Sequence, residues 1–213
     1  AVILPGLTDA HMHLEHFAFS QQQVFCETDT LEQCLKNVAE KAAALPKGTW
    51  IQGWGWNQNV WAGGYGTAAD LDRAAPDNPV FMASKSGHAT WANSLAMKLA
   101  DVDSSTPDPE GGVIQRDKTG KPTGIFFETA NNLVRKFIPP ATVEDSARAI
   151  VAVQPILWAM GLTSVHDFNG IRCFSALQKL NQENKLKLRV TKGIPLDFAE
   201  HAAAMGLRSG RSE

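Results

Sequence analysis

The chain has 213 residues, 44% hydrophobic and 20% charged, with a formal net charge of -2. That is an ordinary balance for one good-sized globular domain or one domain carrying a large insertion. It contains no basic block to meet a phosphate backbone or an anionic membrane, and no stretch approaches the roughly 20 apolar residues of a membrane helix.

The first strand is the most informative segment. Ile3 and Leu4 feed a Pro5-Gly6 turn, and the chain then delivers His11 and His13, one residue apart. In an extended strand side chains alternate faces, so both imidazoles are expected to point the same way. Two neutral imidazoles at a strand end make half a site for a divalent transition metal, which makes a metallohydrolase the first function to test. Leu14 to Ser20 reads as a short helix or a loop. Thr30 caps a helix whose apolar stripe is Leu31, Cys34, Leu35, Val38 and Ala42, and Pro46 and Gly48 stop it. Residues 49–54 read as a strand.

From there to about Ile138 the texture changes. Residues 53–66, rich in Gly, Trp and Asn, suit an ordered loop. Thr67 opens a short helix through Leu71, Pro79 to Ser84 reads as a buried strand, and a Gly87-His88 turn leads to a helix from about Thr90 to Leu99. Residues 101–112 read as loop and 113–127 as a hairpin turning at Asp117 to Gly120. After Pro139-Pro140, Thr142 and Asp145 form a capping-box variant for a long helix to Met160, expected to kink near Pro155. Gly161 ends it, and a short strand from Leu162 delivers His166 and Asp167. A helix over 171–183, a strand over 186–191 and a last helix over 197–205 follow.

With residues 46–140 set aside, the remainder alternates strand and helix, which implies parallel strands with right-handed crossovers. The expected fold is α/β: an incomplete TIM (β/α) barrel, its first three strands and helices in residues 1–45 and 141–213, with an α+β insertion or lid over 46–140. Three units are too few to close eight strands. The strand around 186–191 therefore offers an edge for self-association. The chain opens directly on a strand and closes on Arg-Ser-Gly-Arg-Ser-Glu, so both ends read as cut from something longer. Cys26, Cys34 and Cys173 are too few for a disulfide scaffold or a zinc ribbon and read as reduced, packed thiols in a cytoplasmic protein.

Pro5-Gly6-Leu7-Thr8-Asp9-Ala10-His11-Met12-His13-Leu14 resembles the first barrel strand of the amidohydrolase superfamily, and Gly161-Leu162-Thr163-Ser164-Val165-His166-Asp167 resembles its second. Between them, Gly53-Trp54-Gly55-Trp56-Asn57, Leu71-Asp72, Ala75-Pro76-Asp77-Asn78-Pro79-Val80, Ser86-Gly87-His88-Ala89-Thr90-Trp91-Ala92-Asn93-Ser94, Gly111-Gly112-Val113-Ile114 and Pro122-Thr123-Gly124-Ile125 are similar in order to the amidohydrolase-3 branch. The resemblance spans nearly the whole chain. It implies a metal-dependent hydrolase with a TIM-barrel fold, with one or two divalent ions, zinc first among them. The substrate would be a small molecule with a C–N bond other than a peptide bond, cut by metal-activated water. His11 and His13 would hold the more buried metal. The family's carboxylated lysine, two further histidines and catalytic aspartate have no match here, Lys192 being a weak candidate for the lysine. The chain thus reads as the N-terminal portion of an enzyme, inactive alone, with its catalytic residues beyond residue 213.

Other residues carry competing readings. His88, Glu128, His166, Asp167 and Trp54 are candidates for a substrate pocket, against packing or capping roles. Trp56 and Trp61 read as packing, and His201 as exposed. His11-Met12-His13-Leu14-Glu15-His16 also approximates the His-x-His-x-Asp-His signature of metallo-β-lactamase-like hydrolases, with Glu for Asp. A third reading is a non-catalytic binding or assembly module that keeps the fold.

Overall fold

The computed structural model describes residues 3–207; the closing Arg-Ser-Gly-Arg-Ser-Glu (residues 208–213) lies outside them. The first half of the chain runs β1 (Leu7–Met12), α1 (Leu14–Ser20), β2 (Val24–Phe25), α2 (Leu31–Ala43), β3 (Ile51–Trp56), α3 (Ala68–Ala74), β4 (Val80–Ser84), β5 (Ala89–Ala92) and α4 (Ser94–Leu99). The second half runs β6 (Gly112–Arg116), β7 (Pro122–Glu128), α5 (Asn131–Arg135), α6 (Val143–Ala159), β8 (Leu162–Asp167), α7 (Ile171–Gln182), β9 (Arg189–Lys192) and α8 (Ala199–Ala204). No helix among the described residues is long and apolar enough to cross a membrane.

These elements form two compact units, residues 1–22 with 141–213 and residues 23–140. The break comes at residue 22 rather than 45. Although α2 was expected with the first strand, its Cys34 and Val38 are buried together with Ile51, Leu71 and Val80 of the second unit.

The first unit holds a three-stranded parallel sheet in the order β1-β8-β9. Gly6 enters β1 because the chain passes hard against Thr163, where an added Cβ would lie 2.1 Å from the threonine hydroxyl oxygen. Helix α6 starts at a full capping box: Thr142 accepts from the Asp145 N–H while the Asp145 carboxylate accepts from Thr142 N–H. The helix runs on through Pro155 as one element. Its buried face of Ala147, Ile150, Val153 and Leu157 packs with Leu14 and Ala18 of α1, Val165 of β8, and Cys173, Leu177 and Leu180 of α7. Burial of this apolar stripe, at about 25 cal/mol per Å², is the main force holding helices to sheet. Strand β9 begins at Arg189, three residues later than the sequence suggests, because Lys185 and Leu186 close back on the Leu180 carbonyl at the end of α7.

The second unit is a six-stranded mixed sheet, β2-β3-β4-β5-β7-β6, its first three strands parallel. Thr30 caps α2 through the Gln33 N–H as expected. Residues 89–92 form β5, paired antiparallel with β4 and β7, where a helix was expected from about Thr90. Thr90 and Trp91 suit a strand, and Asn93 delays the helix to Ser94 by accepting from the Ala96 N–H. Trp56, Trp61 and Trp91 are buried against one another, with centroids 5.9–6.3 Å apart. Each indole N–H is satisfied by a backbone carbonyl, of Met82, Thr28 and Thr67 respectively. Cys26 and Cys34 correct the expectation of reduced thiols: they are joined as a disulfide, Cα atoms 4.9 Å apart, inside this core.

Candidate functional site

Because β1, β8 and β9 run the same way, their C-terminal residues share one edge of the sheet. His11 lies next to last in β1. A register shift between Asp9 and Met12 interrupts the strand, and His13 already belongs to the start of α1. Simple alternation is therefore not what brings the two rings together. They nonetheless lie 5.6 Å apart, edge to face, both exposed. Two imidazoles bonded at about 2.1 Å to one tetrahedral zinc ion place their ring centroids about 5.3 Å apart, close to the separation here. His16 stacks on His13 at 5.3 Å, and Phe168 stacks on His11 at 4.4 Å. Among the described residues no three His, Cys, Asp or Glu side chains are grouped to hold an ion. The pair offers two imidazoles, short of a complete ligand set.

Behind the rings stands a buried polar frame that the sequence did not announce. Asp167, fully buried, accepts from the Leu14 N–H at 2.9 Å and the Asn169 N–H at 3.2 Å. The Lys192 ammonium lies 3.1 Å from the same carboxylate. Asn169 accepts from the Glu15 N–H at 2.9 Å. Glu15 is buried and takes two bonds from Arg172, at 2.8 and 2.9 Å, and one from Ser146 at 2.6 Å. Burial alone would raise the Glu15 carboxyl, but the hydrogen bonds from Arg172 and Ser146 and the guanidinium charge outweigh it and hold it below its ordinary value. Cys173, buried beside Asp167, has its thiol pushed far up by burial and then by that carboxylate, so it is no nucleophile at neutral pH.

The five pocket candidates are distributed as follows. Asp167 belongs to the frame, with no surface to offer a ligand. His166 is half-buried on β8, in register with Thr191. An open cleft of about 350 Å³ beside them is lined by His13, Glu15, His16, Phe168, Asn169 and Arg172, and His166 is not among its lining residues. The other three candidates lie in the second unit. His88 and Glu128, named separately from the sequence, are partners: Nδ1 lies 2.9 Å from Oε1, and the Glu128 N–H donates to the His88 carbonyl. Both are exposed, 72% and 56% by side chain. An ionised carboxylate only accepts, so Nδ1 carries the shared proton and Nε2 is left free. Trp54, 39% exposed, meets Phe25 edge to face at 5.2 Å. A larger depression of about 550 Å³, beside Met97, Lys98, Asp101 and Lys121, contains no histidine.

Lys192 is not available for the role weighed for it. Its ammonium donates to the carbonyls of Asp167, Asn169 and Gly193 while facing the Asp167 carboxylate. Glu15, likewise, is engaged by Arg172 rather than placed as a ligand, and the parallel sheet with helices packed on it differs from the stacked sheets that the metallo-β-lactamase-like signature requires. Arg172, Phe168 and Asn169 went unnamed in the sequence because their partners lie more than 150 residues away in the chain.

Comparison with known proteins agrees with the family resemblance read from the sequence. The model of the amidohydrolase family matches residues 1–211. N-substituted formamide deformylase of Arthrobacter pascens is 38% identical over 173 residues, covering 78% of this chain and 32% of that protein. Protein LONG AFTER FAR-RED 3 of Arabidopsis thaliana is 34% identical over 167 residues, covering 78% of this chain and 29% of its own length. A solved structure described as an uncharacterized metal-dependent hydrolase from Pyrococcus furiosus is 26% identical, with a TM-score of 0.71, and the likeness covers 98% of this chain and 42% of that one. The chain spans about a third of the length of these two curated relatives.

Proposed function

The chain belongs to the amidohydrolase family, and from that premise we propose that it is part of a metal-dependent hydrolase that cleaves a C–N bond other than a peptide bond in a small molecule. The carrying observation is the His11–His13 pair, 5.6 Å apart at the C-terminal edge of three parallel strands. In α/β folds of this kind ligands collect at that end of the strands. The name of the Arthrobacter relative supports the C–N bond, and that of the Pyrococcus neighbour supports the metal.

His11 and His13 would supply two imidazole nitrogens to a divalent ion, zinc first among the candidates. An ion bound there would supply Lewis acidity, polarising a carbonyl and making water a nucleophile near neutral pH. The chain's own contribution is orientation. Asp167 and Asn169 fix the backbone that follows His13, and the cleft beside His13 and His16 gives a small substrate access. We take the sheet as the opening part of a (β/α)₈ barrel, in a cytoplasmic protein. The remaining ligands and the catalytic acid–base group would lie in the portion of the relatives this chain does not cover, so the chain alone would turn over little or nothing. Until that portion is present, the edges of β1 and β9 would offer themselves for self-association.

The test is a Co²⁺ titration of the chain beside His11→Ala and His13→Ala, followed by its d–d absorption, with N-substituted formamide hydrolysis assayed in parallel. Weak binding that either substitution removes is expected. Binding that survives both substitutions would overturn the site, and robust turnover by the chain would overturn its incompleteness.

A further inference from the structure

We propose that Phe168 is a positioning residue for the histidine pair: it holds the His11 imidazole toward His13, and the Lys192 ammonium locks the turn that presents it. The consequence for metal binding rests on the reading of His11 and His13 as ligands.

Three observations meet at this ring. Phe168 stacks on His11 with centroids 4.4 Å apart and planes only 17° from parallel, while its backbone N–H donates to the Met12 carbonyl at 3.0 Å. The backbone is thus tied between the two histidines and the ring covers one of them. The ring also meets Gly193, where an added Cβ would lie 2.9 Å from Cδ1 and 3.1 Å from Cε1 of Phe168. Only a residue without a side chain leaves the ring in that place. The turn itself is fixed from both ends, since Asp167 and Asn169, the neighbours of Phe168, receive the N–H groups of Leu14 and Glu15. Lys192 binds the carbonyls of the same two residues and that of Gly193, so one ammonium joins the residue before the ring, the residue after it and the glycine against it.

An exposed phenylalanine, 44% accessible, is not required for a core. Its geometry is that of a clamp. Without the stack, the His11 ring would turn about its χ angles, and an ion would have to pay for fixing it. Groups that orient metal-bound histidines change affinity by about 10–100-fold when removed.

The experiment begins with the metal-free chain. Ring ¹H resonances of His11, assigned with His11→Gln, are expected upfield from the ring current of Phe168. They should move downfield in Phe168→Leu, which keeps an apolar side chain, and return in Phe168→Tyr, which restores the stack. Gly193→Ala should shift them without touching either ring chemically. Circular dichroism checks that each variant is folded. In a Co²⁺ titration Phe168→Leu should bind about 10–100-fold more weakly and Phe168→Tyr as the parent does. His11 resonances that ignore Phe168→Leu in a folded chain would overturn the proposal, as would parental Co²⁺ affinity in that variant when His11→Ala abolishes binding. If His11→Ala leaves Co²⁺ binding unchanged, the ligand reading fails, and the ring-current shifts alone still decide whether Phe168 positions the ring.

Discussion

The two units fill their interiors differently. In the first, two buried carboxylates, Glu15 and Asp167, each meet a cation, Arg172 and Lys192, immediately behind the histidine pair. In the second, the buried polar side chains are uncharged (Asn78, Ser84, Thr90 and Asn93), and three tryptophans fill much of the core. Charge taken out of water is expensive and seldom improves on an apolar core of equal volume. The first unit carries that cost where its chain leaves β1, bonds to the turn at the end of β8 and presents two imidazoles. The second carries none, and relies on aromatic packing for its shape. Buried ionic bonds here mark the place where geometry matters more than stability.

The sharpest way to break this comparison is Asp167→Ala. It leaves the Lys192 ammonium with neutral carbonyl acceptors but no counter-charge, and the Leu14 and Asn169 N–H groups without their acceptor. A loss of about 3–5 kcal/mol is expected in chemical denaturation, with hydrogen exchange rising first around residues 12–16 and 167–170. A loss below about 1 kcal/mol would mean that the frame is decoration.

Asn93→Ala is the counterpart in the second unit and should cost somewhat less, about 2–4 kcal/mol. The Asn93 carbonyl accepts from Val80 and Ala96, and its amide donates to the carbonyls of Ala75 and Asn78, all in a fully buried position. Four neutral bonds are lost, but no unpaired charge is left behind. If Asn93→Ala proved the more damaging of the two, buried charge would not be what distinguishes the first unit.

What the sequence disclosed follows the same division between near and distant contacts. The stripe behind Thr30, the hairpin over 113–127 and the Thr142–Asp145 box could all be read, because each is set by residues within a few positions of one another. The His11–His13 pair and the family likeness were legible for the same reason. The two-residue β2, the five-residue α5 and the strand at 89–92 were not, since each takes its form from neighbours brought by the sheet. The frame was least visible of all: the Glu15–Arg172 and Asp167–Leu14 bonds join residues 157 and 153 apart. Even the Cys26–Cys34 pair, eight residues apart, depends on α2 folding back over β2.

Acid offers a graded probe of the same frame. The folded Glu15 carboxyl titrates below its ordinary value of 4.5, so the unfolded chain binds its proton first as pH falls. Stability from Glu15 is therefore complete above about pH 5.5 and drains away as pH drops through 4.5 toward the folded value. Glu15→Gln should cost about 1–3 kcal/mol at neutral pH and flatten the acid limb of the stability curve. Hydrogen exchange at α1 and α7 should show that flattening, while the Trp56–Trp91 core reports none of it. An unchanged acid limb in Glu15→Gln would assign the pH dependence to other carboxylates.

His88→Ala should have the smallest effect on stability, and that smallness is its use. The His88–Glu128 pair is as close as the ion pairs of the frame, at 2.9 Å, yet both side chains stand largely in water. Exposed pairs contribute little because solvent already serves both groups and two mobile side chains must be held in one geometry. A change within about 0.5 kcal/mol is expected for His88→Ala, and the same for Glu128→Gln. Glu128 itself sits in the left-handed region, at φ +49, a conformation that costs a side-chain-bearing residue about 1–2 kcal/mol. The pair does not repay that strain, so its cause lies elsewhere: the Glu128 N–H is committed to the His88 carbonyl, and the chain must turn from β7 toward α5 at once. Glu128→Gly should accordingly leave stability nearly level, relief of strain in the folded chain offsetting the freedom gained by the unfolded one. A fall of 2 kcal/mol or more in any of the three variants, roughly the scale of a buried pair, would place this dyad with the frame and erase the contrast between the two units.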